Sequence, residues 1–320
     1  MTIDLEAIRY PSDDDRAHRA GSDPDWQESF VLSWWDDVAG IGGFHRVAHE
    51  PNRGLGNVLS GVVTAAGRRF RRNEESLPLR EGDRHGGAFG AAGHRVRFDG
   101  GFAFEVDEPE CEMSLRFEDF YPLYNYWALT GSLSDYRDIG ADHYQVAGRV
   151  VGEVRLGADT YRVDGLGHRD HSWGIRHWTA LLGHRWLAGT VGPELSFSLI
   201  TTQLASGVIS RVGMAAIEGE VVPLSDVDVV VHLEPDGLTH RGGEGTGRLP
   251  GGEELRVESE VVDGIVVTMR GLRVVEGIGR ARVGDRVGFC DLEQSDNPSA
   301  RADGPLVALR AAVDDGLTSR

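Results

Sequence analysis

Asp164-Gly-Leu-Gly-His-Arg-Asp-His-Ser-Trp-Gly-Ile-Arg-His-Trp178 lies at the middle of the chain and brings charge, imidazole and indole together. Carried on to Trp186, the window from His168 holds four of the 12 histidines and three of the seven tryptophans. Gly165, Gly167 and Gly174 let the backbone bend or approach another group closely, and each indole adds a large apolar body with one N–H to satisfy. A solvated loop has little use for so many aromatics, so the stretch belongs in a crowded interior or on a pocket wall. The run before it, Thr160-Tyr-Arg-Val-Asp164, reads as a strand that feeds the motif. Side chains alternate along a strand, so His168 and Asp170 share one face and His171 points to the other.

The same grammar extends in both directions. Residues 26–35 are rich in aromatic and β-branched side chains and read as a strand; residues 36–43 turn, and residues 44–49 return. Residues 102–106 and 111–117 alternate apolar with polar or small side chains, the mark of a half-buried strand. After the motif, residues 185–190, 195–202 and 286–293, and runs starting at Val208, Asp226, Glu254 and Ile265, read as further strands separated by glycine turns. The glycine-rich runs at 40–43 and 242–247 lack the strand–loop–helix context of a nucleotide site and read as plain turns. Residues 120–127 break the rhythm with dense aromatics and are expected to line or cover a pocket, chiefly through Tyr124 and Trp127. Residues 306–313 carry apolar side chains at helical spacing and predict a short C-terminal helix. Strands without interleaved helices argue against a parallel α/β sheet and for an all-β chain of two antiparallel barrels or sandwiches. The expected organisation is a loosely held polar arm over 1–25, a first β-domain over 26–179 and a second over 180–320.

Composition narrows the classes of function. With 44 glycines, the chain suits many short strands and turns rather than a helical bundle. Net charge is −18, and all 33 basic residues are arginine. That balance repels nucleic acid and anionic membrane surfaces, so neither is an expected partner. The absence of lysine excludes Schiff-base and P-loop lysine chemistry. Cys111 and Cys290 make no disulfide framework, which predicts a reducing, cytoplasmic setting. The first ten residues carry Asp4 and no apolar run, so no signal peptide is expected. No stretch approaches the roughly 18 apolar residues of a membrane helix. The oligomeric state is not legible.

Among possible chemistries, metal binding is the most tempting. His168-Arg-Asp-His171 looks like the second half of the His-x-His-x-Asp-His signature of metallo-hydrolases, but Leu166 stands where the first histidine is needed. A facial triad of two histidines and a carboxylate has no fixed third ligand here, so no metal is expected. Ser172 lacks the Gly-x-Ser-x-Gly elbow of a hydrolase nucleophile. Acid–base work survives: His171 has an ordinary pKa near ~6.5, with Asp170, Asp164 and Arg169 near in sequence to orient it. Trp173, Trp178 and Trp186 can wall an apolar cavity. The alternative is a buried clasp between domains, made by Arg169, Asp170 and Arg176 with the tryptophans as core.

Asp170-His-Ser-Trp-Gly174, preceded by Gly167-His-Arg169, resembles the Asp-His-x-Trp-Gly signature of the AttH-like and hydroxyneurosporene-synthase-like proteins. That group includes carotenoid 1,2-hydratases and fungal pericyclase relatives. Ser33-Trp-Trp-Asp36 through Gly42-Gly-Phe-His-Arg46 is similar to a bacterial branch of it. The resemblance implies two lipocalin-like (calycin) β-domains in tandem, an interior cavity for isoprenoid or other lipid-like molecules, and no metal or organic cofactor. In the hydratase branch the motif His and Trp act on an alkene with a downstream Tyr-x-Asp pair. His171 and Trp173 match the first two, whereas the downstream strand here reads Ser196-Phe-Ser-Leu199 and lacks that pair. The expected activity is a cofactor-free lyase or isomerase of hydratase, dehydratase or cyclase type, acting on an isoprenoid- or steroid-like substrate. His171 would move the proton and Asp170 would orient it. Trp173, Trp178, Trp186, His168, Tyr124, Trp127 and Phe197 would contact the substrate. The other expectation is a lipid carrier without turnover.

Overall fold

The computed structural model describes residues 3–11, 14–84, 87–235, 239–297 and 300, so the helix expected over 306–313 lies outside the described residues. In the N-terminal half, β1 (Trp26–Asp36), β2 (Ile41–Glu50), β3 (Leu55–Thr64), β4 (Arg69–Pro78), β5 (Ala88–Ala91), β6 (His94–Arg97), β7 (Ala103–Glu108), β8 (Cys111–Asp119), β9 (Asp142–Leu156) and β10 (Asp159–Ile175) form one sheet. Its order is β4-β3-β2-β1-β10-β9-β8-β7-β6-β5, antiparallel at each pairing. The short helix α1 (Tyr126–Leu129) joins β8 to β9, with the Asn125 side chain accepting from the Ala128 N–H as its cap.

The C-terminal half is a closed barrel. It runs β11 (Leu181–Thr190), β12 (Leu195–Leu204), β13 (Ile209–Ile217), β14 (Glu220–Leu233), β15 (His240–Arg248), β16 (Glu254–Met269), β17 (Leu272–Val283) and β18 (Arg286–Asp296). β18 pairs back onto β11 in antiparallel register, so no strand of the barrel is left as an edge. Two antiparallel β-domains in tandem are therefore what the alternating, glycine-punctuated sequence builds. No helix among the described residues is long and apolar enough to cross a membrane.

β1 explains how the halves meet. It is buried at each of its 11 positions, because both of its faces are covered. Phe30, Leu32 and Trp34 face the core of the N-terminal sheet, with Phe89, Phe104 and Tyr144. Val31 and Trp35 face the barrel and pack with Phe44, Leu59, Ile265, Ile278 and Phe289. Two glycines make this approach possible: a Cβ on Gly42 would meet Trp35 at 2.6 Å, and one on Gly61 would meet Ile265 Cγ2 at 2.7 Å.

Three expectations are corrected. The run 242–247 is not a turn but the middle of β15. A Cβ on Gly245 would meet Leu187 Cδ2 at 2.8 Å and one on Gly247 would meet Leu224 Cδ1 at 2.9 Å, so these glycines make room for leucines that fill the barrel. In the run 40–43, only Gly40 is in the turn, and Ile41, Gly42 and Gly43 belong to β2. Within the arm, described residues are held rather than loose. Ile3, Leu5, Ile8 and Tyr10 pack on the N-terminal core, and His18 and Asp15 bond to β1, β9 and β10 side chains or their partners.

Candidate functional site

The pleat of β10 divides the central motif between two environments, as the alternation requires. Arg169, His171 and Trp173 face the core of the N-terminal sheet, and His168, Asp170 and Ser172 face the barrel. Between the sheet and the barrel lies a cavity of about 140 Å³, the volume of about five waters in the liquid. Its walls are apolar on several sides, with Trp127, Tyr136, Trp178, Trp186, Ile200, Met269 and Leu272. Polar groups gather at His143, His168, Asp170, Arg46 and Arg176 from the N-terminal half and at His184, Glu276, Asp291 and Glu293 from the barrel.

Strand register accounts for the gathering. Asp170, Val31 and Arg46 stand in one cross-strand row over β10, β1 and β2. On the barrel side, Glu276 pairs directly with Glu293, while Asp291 lies two residues back on the same face of β18. Four carboxyls thus meet in a space shielded from bulk water. Burial pushes the Asp170 carboxyl up to about 7; Arg176 and Arg46 oppose the rise and Glu293 adds to it. Burial, reinforced by the neighbouring carboxyls, also lifts Glu276 and Asp291 well above the usual range. Glu293 is hydrogen-bonded to His184 Nε2, and Ser295 Oγ lies 2.6 Å from His184 Nδ1, which fixes the ring. On the opposite wall His143 Nδ1 is 2.7 Å from Ser172 Oγ, and His168 Nε2 is 3.2 Å from Gln145 Oε1. Burial, with the Arg169 charge adding, drives His168 down to about 3, so it is a neutral ring at any physiological pH.

His171 occupies a different place. Its ring stacks on Phe30 with centroids 3.8 Å apart, and its Nε2–H donates to Glu28 Oε1 at 3.1 Å. His18 donates to the same oxygen from Nδ1 at 2.8 Å, with Asp14 Oδ1 3.2 Å from its Nε2, and Arg84 pairs with the other oxygen of Glu28. Burial works against the Glu28 charge, but His171, His18 and Arg84 outweigh it and hold the carboxyl at about 2. Burial likewise opposes charge on His18, yet the carboxylates on both its nitrogens raise its pKa. Trp173 stacks on His18 at 4.0 Å and completes the cluster. Ligand atoms of His18, Glu28 and His171 lie within 4.8 Å of one another, a spacing that can hold a metal ion. Against that, both rings already direct an N–H at one oxygen, and the guanidinium of Arg84 shares the carboxylate. The arrangement works as a charged clasp that ties the arm to the sheet. Arg169 does the same from the other side, donating to Asp119 at 2.8 and 2.7 Å and pairing with Asp15 at 3.0 Å.

Of the residues singled out from the sequence, the cavity therefore collects Asp170, His168, Trp127, Trp178 and Trp186. Trp173 belongs to the core of the N-terminal half, and His171 is fully buried beside it against Phe30. Tyr124 is half-buried beside the arm, bridged to Arg9, and Phe197 fills the barrel core. Arg46, His143, His184, Glu276, Asp291 and Glu293 join the site without having been singled out. For the last two a signal exists in the sequence: Phe289-Cys-Asp-Leu-Glu293 puts two carboxylates where a strand between two apolar layers should carry none. The cavity also lies between the domains, whereas a lipocalin-type interior was expected; Leu187, Phe197, Leu199 and Val229 fill the barrel itself.

Two tandem antiparallel β-domains with a carboxyl-rich cavity at their junction define the class. The chain belongs to the family described as a domain of unknown function, DUF7064, which matches residues 11–298. No curated protein matches it in sequence. Among solved structures it is similar to an AttH-type protein of Nitrosomonas europaea, with a TM-score of 0.62 at 11% identity over 90% of this chain and 96% of the other. It is also similar to CghA (0.61, 10%, 91% and 95%) and to kievitone hydratase from Nectria haematococca (0.56, 8%, 91% and 93%). At these identities the likeness shows the fold, which is that of the AttH-like proteins to which the Asp-His-x-Trp-Gly motif pointed.

Proposed function

We propose that the protein is an enzyme of hydratase or lyase type whose reaction takes place in the interdomain cavity. The observation that carries this reading is Asp170, a buried carboxyl poised at about 7 in the wall of a largely apolar chamber. A carboxylic acid kept neutral by burial is a stronger proton donor to an alkene or leaving hydroxyl than a neutral imidazole, and its pKa matches the working pH of a general acid. The proton-moving role expected for His171 passes to Asp170, because His171 lies on the other face of β10. Across the cavity the Glu293–His184 pair can accept a proton. In the hydration direction Asp170 gives its proton to one carbon of a C=C bond. Water adds its oxygen to the other carbon and loses a proton to Glu293–His184. Dehydration is the reverse, and the atoms balance without a cofactor.

Trp127, Trp178 and Trp186 suit the apolar end of an isoprenoid- or steroid-like body, since a cavity of about 140 Å³ takes a ring or a short chain rather than a whole steroid, and the name of kievitone hydratase supports a water-adding reading of this fold. The test is incubation with a panel of enones and allylic alcohols in ¹⁸O-labelled water, followed by mass spectrometry. With the wild type the enones should gain one labelled water and the allylic alcohols should lose one water; both conversions should fall by about 10²–10⁴-fold in Asp170→Asn and persist in a folded His171→Gln variant. Undiminished conversion by Asp170→Asn would remove Asp170 from the chemistry. Tight binding without conversion of any substrate would favour a carrier.

A further inference from the structure

The proton chemistry uses the carboxyls of the cavity and leaves its two cations, Arg46 and Arg176, without a role. Arg46 is 4% exposed and Arg176 7%. Neither terminal nitrogen of Arg46 meets a protein acceptor, and neither does Nε of Arg176. Among the described residues the Arg176 guanidinium makes a single hydrogen bond, from Nη1 to Ser29 Oγ at 3.3 Å. Carboxylates that could neutralise the pair are engaged elsewhere. Glu50 pairs with Arg270, Glu75 accepts the Arg270 backbone N–H at 2.8 Å, and Glu293 is held by His184. Of the other three carboxyls of the cavity, Asp170 is near enough for both arginines to oppose its rise, but at about 7 it is only half ionised at neutral pH, and burial lifts Glu276 and Asp291 well above the usual range, so counter-charge for two guanidiniums stays short. A buried guanidinium without an acceptor is costly, and its planar fork is shaped for a carboxylate-like pair of oxygens.

We infer that the cavity takes a substrate bearing an anionic oxygen group, a carboxylate or an enolate, on an apolar body, and that Arg46 and Arg176 hold that group. The inference rests on the reading of the cavity as the reaction site. It gives the lining two kinds of work: the guanidiniums, with that of Arg176 lying 5.3 Å from the Trp178 ring centroid, hold the charged group, and Trp127, Trp178 and Trp186 contact the apolar remainder. An anion there also supplies the acceptors that the orphan N–H groups lack. A substrate held at one end by charge would present its reacting carbon to Asp170, which stands in the same cross-strand row as Arg46.

The test is calorimetric titration with 1-naphthylacetate and its neutral counterpart 1-naphthylacetamide, which share an apolar body small enough for the chamber. Wild-type protein should bind the acid at least tenfold more tightly than the amide. Arg46→Gln and Arg176→Gln should each cut that preference below threefold while leaving the amide affinity within twofold. If a glutamine variant does not fold, the wild-type comparison still decides. Equal affinity for the two probes in the wild type would overturn the anion inference and leave the cavity reading intact. A preference that survives in both glutamine variants would overturn the assignment to these arginines. Binding of neither probe would overturn both the inference and the cavity reading on which it rests.

Discussion

Replacing Asp170 with asparagine should make the protein more stable above neutral pH, the opposite of what most buried substitutions do. Asp170 is 6% exposed, and burial raises its carboxyl from 3.8 to about 7. The folded protein therefore binds this proton more tightly than the unfolded chain does. The Asp170 contribution to stability is most favourable below about 4, falls as pH rises through the interval to about 7, and levels off above it. At about 1.4 kcal/mol per pH unit, the full loss is about 4 kcal/mol. Asparagine keeps the shape and cannot ionise, so that slope disappears. Urea unfolding at pH 5, 6, 7 and 8 reads the effect without knowledge of the substrate. Asp170→Asn should exceed the wild type by about 1.5 kcal/mol at pH 5, with the gap widening to about 4 kcal/mol at pH 8. A variant that keeps the wild-type slope, or is less stable at pH 8, would refute the account of a carboxyl held neutral by burial.

Glu28 should show the contrary sign. Its carboxyl is held at about 2 in the folded protein against 4.5, so its contribution is present above 4.5 and is lost as pH falls towards 2. Glu28→Gln should cost about 3–5 kcal/mol at pH 6, because it breaks a buried charged clasp, and the difference from wild type should shrink in melts below pH 3. Trp173→Ala removes a core indole and should cost about 3–5 kcal/mol with no change in the affinity of a cavity ligand. Trp186→Ala should weaken that ligand roughly tenfold, since it strips apolar contact from the cavity wall. Because His18, His171 and Arg84 already satisfy Glu28, EDTA should leave the melting temperature unchanged; elemental analysis that finds stoichiometric metal would overturn this.

Much of this architecture was legible from residues alone because strand period and turn chemistry are local. β8 alternates buried and exposed positions from Cys111 onwards, and the facing of His168, Asp170 and His171 follows from the period of two. What could not be read was what covers each face. β1 is buried throughout because two layers sandwich it, and its large apolar side chains fall on both faces, so its sequence does not say which of Phe30 and Val31 looks towards the barrel. Which of His171 and Asp170 reaches the cavity is hidden for the same reason: their neighbours, Glu28 on one side and Glu293 on the other, are more than a hundred residues away. The glycines of β15 misled because a barrel strand facing large leucines has the same composition as a loop. Arg46 and Glu276 sit in strands whose patterns carry no sign of a site, and only the docking of the two domains brings them together.

A crystal structure with the molecule that the protein binds tests the central claim most directly. The account predicts density in the interdomain cavity, against Trp127, Trp178 and Trp186 and within hydrogen-bonding reach of the Asp170 carboxyl. Density inside the N-terminal sheet beside His171 and Trp173, with the interdomain cavity holding only solvent, would contradict it.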